Sequence, residues 1–191
     1  DLQPAIKEIV RYINEEDKDF TIRIHAGEND SLRNNVRKSI MCVKESLEKE
    51  QEMPRCRIGH GLYSEDLNTE SGKELLKLMK DTGVVIEFQL TSNVRLNNLS
   101  DLKNHPIKIF LKNGIKCVQG TDGGGMYGSD TFDEQLALQN LLELSDDEFA
   151  KMREVEDEIT TKNNIYFMQK SEKFDKFLSG RTIKEAILEE E

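Results

Sequence analysis

The chain has 191 residues, with 37 acidic against 27 basic side chains and a formal net charge of -10, which is one domain of ordinary size or part of a larger one. Its mean hydropathy of -0.64, with no apolar run near the ~20 residues of a membrane span and no charged-then-apolar leader, supports neither membrane insertion nor secretion and argues for a soluble, cytoplasmic protein. Lys and Arg are interleaved with Glu and Asp, which argues against nucleic acid as a partner, because phosphate binding needs clustered cations.

Three cysteines, Cys42, Cys56 and Cys117, form no CxxC pair and read as reduced, buried thiols. The chain opens on Asp1 rather than Met, so it is expected to begin inside a longer gene product or to be a processed one.

Ile6, Ile9, Val10 and Ile13 fall at helical spacing and predict a helix over about residues 3 to 14. Phe20 to Ile24 are β-prone and alternate, predicting a strand that ends at His25. Leu32, Val36, Ile40, Val43 and Leu47 mark an amphipathic helix. Cys56-Arg57-Ile58, ending in Gly59-His60-Gly61, sits where a second strand belongs. A helix through Leu75, Leu76, Leu78 and Met79, stopped by Gly83, leads to a third strand over Val84 to Phe88 that runs into Thr91-Ser92-Asn93. A helix after Pro106 carries Ile107, Phe110 and Leu111. It is followed by a fourth strand over Ile115 to Gln119 that opens into Gly120-Thr121-Asp122-Gly123-Gly124-Gly125.

The remainder reads as helical. Ser145-Asp146-Asp147-Glu148 is a capping box ahead of Phe149, Met152, Val155 and Ile159, and Thr182-Ile183-Lys184-Glu185 is a second one ahead of Ile187 and Leu188. Between them a helix holds Phe174, Phe177 and Leu178 and ends at Gly180. Strands alternating with helices predict a parallel sheet.

His25, Glu28, His60, Asn93 and Asp122 all lie at, or just past, the C-terminal ends of these strands, the face on which parallel α/β folds build their sites. Two of the three histidines stand there. Imidazole and carboxylate are zinc ligands and acid–base groups, so their joint placement makes a candidate site. His105, beside Pro106, reads as a cap or surface residue. Asp130 and Asp133 suit a helix start as well as a substrate loop, Gly123 to Gly125 read as a flexible substrate loop, and Met126 and Tyr127 read as packing residues.

His25-Ala26-Gly27-Glu28, Arg57-Ile58-Gly59-His60-Gly61, Thr91-Ser92-Asn93 and Thr121-Asp122, in this order and at these spacings, resemble the second half of the adenosine deaminase family, metal-dependent (β/α)8 barrels of the amidohydrolase superfamily. Leu99-Ser100-Asp101, Asn104-His105-Pro106 and Asn113-Gly114-Ile115-Lys116 resemble the family's segment between its last two strands. The resemblance implies an α/β fold, namely strands five to eight of a TIM-type barrel over residues 1–135 with a helical tail over 136–191. A whole barrel takes ~250 residues, so a closed one is not expected here.

By the same resemblance His25 and Asp122 would be ligands of one zinc ion per complete site, and Glu28 the proton donor to the purine ring. His60 would orient the metal-bound water, and Gly27, Asn93 and Gly123 would contact substrate. The implied reaction is hydrolytic deamination of an adenosine-like purine nucleoside or base by the complete protein. The missing N-terminal half of the barrel or another subunit would then be a partner. Three departures stand out: there is no His-x-His pair, Gly123 replaces the family's usual second Asp, and Gln89-Leu90 replaces its usual Cys-Pro. They leave open a non-catalytic module for assembly or ligand sensing, or an amidohydrolase with another substrate.

Overall fold

The computed structural model describes residues 3–96, 98–99 and 101–162. Helix α1 (Gln3–Glu15) leads into β1 (Thr21–Ala26), and α2 (Asn35–Glu45) into β2 (Arg55–His60). Helix α3 (Glu70–Thr82) precedes β3 (Val85–Phe88), followed by α4 (Leu90–Arg95) and α5 (Ile107–Lys112). Strand β4 (Lys116–Gln119) is followed by α6 (Gly124–Tyr127), α7 (Thr131–Leu141) and α8 (Asp146–Lys162). The strands form one parallel sheet in the order β1-β2-β3-β4, the arrangement that alternating βα units impose. The chain divides into two compact units, Asp1–Val155 and Glu156–Glu191. The expected tail features at Phe174 to Leu188, and Ser100, lie outside the described residues.

The core lies where one sheet face meets the helices. Ile22, Cys56, Ile58, Ile86, Phe88 and Cys117 point one way from their strands and are buried with Val10 and Ile13 of α1, Val36, Ile40 and Val43 of α2, and Leu75 and Met79 of α3. Each such aliphatic or aromatic side chain contributes roughly 1.5–3 kcal/mol by leaving water, and burial drives the Cys56 thiol up to about 12. The other sheet face follows from the register, in which Arg23 pairs with Arg57, His25 with Gly59 and Gly59 with Glu87. That face is polar, and on it Arg23 and Arg57 converge on Glu87.

Several boundaries differ from expectation for local reasons. Leu32 does not begin a helix: it ends a 3-10 turn over Asp30–Leu32 capped by Asn29 and is 54% exposed, so α2 starts three residues later. Ile9 is likewise exposed rather than in the core. The Gly-rich stretch is partly helical, because the Gly123 carbonyl accepts from the amides of Met126 and Tyr127 and Gly128 ends the turn at φ 64°. Met126 is 81% exposed, so it does not pack. Asp130 and Asp133 form a capping box at the start of α7, and Ser145 and Glu148 form the expected one at α8.

Candidate active site

Each strand end turns sharply, and the turns deliver the polar side chains. After β1 the chain bends at Gly27, whose φ of 74° and whose missing Cβ, which would lie 2.6 Å from the Tyr63 carbonyl oxygen, both require glycine. Glu28 follows directly. At the end of β2, His60 itself takes the left-handed conformation, φ 72°, at a cost on the order of 1 kcal/mol for a non-glycine residue. Asp122, past β4, does the same at φ 55°. Two non-glycine residues held there mark positions over-determined by their surroundings.

His60 is 1% exposed. Its backbone N–H donates to Gln89 Oε1 at 2.9 Å, and its Nδ1–H donates to Asn93 Oδ1 at 3.0 Å. With Nδ1 so engaged, Nε2 faces Glu28 and stands 3.7 Å from its Oε2. Glu28 Oε1 also accepts from Asn98 Nδ2 at 3.4 Å, and Asn98 is anchored by the Tyr63 hydroxyl donating to its carbonyl. The His25 ring meets the His60 ring edge-on, centroids 5.3 Å apart. It lies across β2 where a Cβ on Gly59 would come within 2.6 Å of its Cδ2. Ser92 Oγ donates to Asp122 Oδ2 at 2.8 Å.

His25, Glu28 and His60 are thus drawn together, with Asn93 beneath them. Asp122 is tied to the same helix α4 through Ser92. His25 and Asp122 are exposed, whereas Asn93 is fully buried and grips His60 from below. Gly123 precedes α6. His105, expected as a cap or surface residue, is not on the surface: it is buried with its ring tilted against Phe88, and it caps α5 by accepting the Ile107 N–H on Nδ1. Gln89, Ser92, Glu87 and Asn98 belong to the site's support, a role the sequence does not reveal, although Ser92 stands in the family-like Thr91-Ser92-Asn93 motif and Gln89 departs from the family pattern. A cleft of about 640 Å3 lies beyond Tyr63, lined by Arg33, Ser64, Asp101 and His105 among others. None of His25, Glu28, His60 and Asp122 lines it.

The donor chemistry of His25 and Asp122 suits zinc. Two ligands do not hold it, and no group of three or more His, Cys, Asp or Glu side chains placed to hold a metal ion occurs among the described residues. The described residues do not make a complete metal site by themselves.

The family model for adenosine deaminase matches residues 6–178. The chain belongs to the adenosine deaminase family. It is 34% identical over 152 residues to an adenosine deaminase of Plasmodium gallinaceum, a match covering 80% of this chain and 38% of that protein. It is 31% identical over 122 residues to one of Escherichia coli strain SMS-3-5, covering 62% and 31%. Among solved structures, an adenine deaminase from Arthrobacter aurescens matches with a TM-score of 0.51 at 22% identity, over 77% of this chain and 40% of that one, which supports the barrel-type α/β fold. The chain therefore spans about two fifths or less of the length of these relatives.

Proposed function

We propose that the complete protein, to which this chain contributes the C-terminal half of a deaminase barrel (residues 1–135) and a helical tail (136–191), hydrolytically deaminates an adenosine-like aminopurine. The observation that carries this reading is the line Glu28–His60–Asn93, in which a buried imidazole is fixed through Nδ1 and presents Nε2 towards a carboxyl group 3.7 Å away. Water adding to the ring carbon that bears the amino group needs a proton delivered to the neighbouring ring nitrogen, and Glu28 is the donor. His60 Nε2 accepts a hydrogen bond from the attacking water and orients it. The proton that the water gives up passes through His60 Nε2 to the amino group, which leaves as ammonia, and the adduct's hydroxyl proton returns to Glu28 as the carbon keeps the oxygen. Such acid–base assistance is worth about 10²–10⁴-fold each.

His25 and Asp122 are two ligands of the metal site, and the remaining ligands come from outside this chain. A zinc ion held there supplies a Lewis acid that makes water acidic near neutral pH. Gly27 and Gly123 border the substrate. With Gly123 in place of a second Asp, adenosine, adenine and modified aminopurines all remain substrates of the right class. The free cysteines, two of them buried, agree with a reducing, cytoplasmic setting, and no helix among the described residues is long and apolar enough to cross a membrane.

The competing reading, a non-catalytic module, is favoured by Gly123 in place of the family's usual second Asp. Incubating the complete protein and zinc with a panel of aminopurine bases and nucleosides and measuring ammonia release separates the two. The proposal expects turnover of at least one purine and loss of about 10²-fold or more in kcat for Glu28→Gln. No turnover of any purine contradicts it.

A further inference from the structure

Strand pairing between β2 and β3 ends at Gly59 and Glu87, because β3 gives way to α4 two residues later. His60, the last residue of β2, is held at φ 72°. Gln89, at the N-cap position of α4, makes no capping bond with its side chain. It turns that side chain to β2, where Oε1 accepts from the His60 N–H at 2.9 Å and Nε2 donates to Glu87 Oε1 at 2.9 Å. Gln89 is 0% exposed, so neither bond competes with water and losing either leaves a buried polar group unpaired. Glu87 is fixed in turn by the Arg23 guanidinium and by Arg57 Nη1 at 3.6 Å. Gly120 leaves it room: a Cβ there would stand 2.6 Å from Glu87 Oε1. One helical turn on, Asn93 donates its N–H to the Gln89 carbonyl and holds the His60 ring through Nδ1.

We infer that Gln89 is a positioning residue for His60, its side-chain oxygen fixing the left-handed backbone while Asn93 fixes the ring, with Glu87, Arg23 and Arg57 bracing it from the polar face of the sheet. This gives the replacement of the family's usual Cys at this position a structural role, since a thiol is a weak acceptor and could not bridge from His60 to Glu87. The geometric half of the inference stands alone, and its catalytic half rests on the deaminase reading above.

Amide hydrogen exchange and steady-state kinetics on the complete protein test the two halves separately. In Gln89→Met, which conserves volume and removes both bonds, the His60 amide is expected to exchange about tenfold faster or more, the fold-change of one lost buried hydrogen bond, while the Ile58 amide on the same strand keeps its rate. On an aminopurine substrate kcat is expected to fall about tenfold or more with KM within about twofold, the pattern of a group disordered at the reacting centre rather than lost binding. If Gln89→Met does not fold, Gln89→Leu reads the same two amides. Equal acceleration at Ile58 and His60, or an unchanged His60 rate, overturns the positioning role. The exchange readout is independent of turnover, so a protein that deaminates nothing refutes the deaminase reading without touching this one.

Discussion

His105 packs its ring on Phe88, centroids 4.9 Å apart, and accepts the Ile107 N–H on Nδ1 at 3.3 Å. Its Nε2 then carries a hydrogen with no partner. Burial lowers its pKa from 6.5 to about 4, so the folded state holds the ring neutral where the unfolded state takes up a proton. Its penalty is absent above about pH 6.5 and grows as pH falls to about 4, reaching about 3 kcal/mol by linkage. His105→Leu should flatten the stability-versus-pH curve across that window in urea titrations, and an unchanged slope would show that another group sets it. Arg37 grips Glu65 through two bonds of 2.6 Å and the Ser71 carbonyl through a third. The bond to Arg37 holds the Glu65 carboxyl below its ordinary pKa, a stabilisation present above pH 4.5 and lost as pH falls through the lowered value. Both side chains are partly solvated, so a double-mutant cycle with Arg37→Ala and Glu65→Ala is expected to give a coupling of only about 1 kcal/mol, and zero coupling would reduce the pair to a surface contact.

Helix interiors normally prefer alanine to glycine by about 1 kcal/mol. Gly72 in α3 reverses that preference, because a Cβ there would stand 2.1 Å from the Asp66 carbonyl oxygen and 2.5 Å from Leu67 Cα. Gly72→Ala should therefore lower the melting temperature, and a rise would mean that this loop yields easily. The longer helices were legible from 3.6-residue spacing and the first strand from alternation, while the other three strands were legible as short apolar runs placed between helices. Ile58, Ile86 and Val36 are read correctly for those reasons. Helix α4 was not legible: Leu90 to Arg95 holds Thr, Ser, Asn and Val without apolar spacing, and its first turn is held from afar, the Thr91 N–H donating to the buried Glu134 carboxylate at 3.2 Å. Helix α7 was legible only as a helix start at Asp130 and Asp133 within a helical remainder, since Leu138 is buried while Phe132, Leu136 and Leu141 are exposed, which blurs the stripe that periodicity detects. At the site, His25, Glu28, His60 and Asp122 were visible from their places at strand ends. Gln89, Ser92 and Glu87 were not, because they act through partners remote in sequence.

Among the described residues the sheet is open, with β1 and β4 at its edges, whereas a closed barrel of this kind needs eight strands. Exposed edges and a polar face built around Arg23, Arg57 and Glu87 suit a surface that another set of strands covers. The chain by itself is accordingly expected to associate, and light scattering after size-exclusion chromatography checks this; a well-behaved monomer of 22.0 kDa would argue that the sheet needs no completion. The same incompleteness bears on the proposed chemistry, in which His25 and Asp122 would supply two ligands of a metal site and the rest would come from elsewhere. Zinc content by elemental mass spectrometry, after equilibration with zinc and gel filtration, tests that most directly. Well under one zinc per chain is expected for the 191 residues alone and close to one for the complete protein, lost in His25→Ala. About one tightly held zinc per chain for this segment alone, or full occupancy without His25, would contradict it.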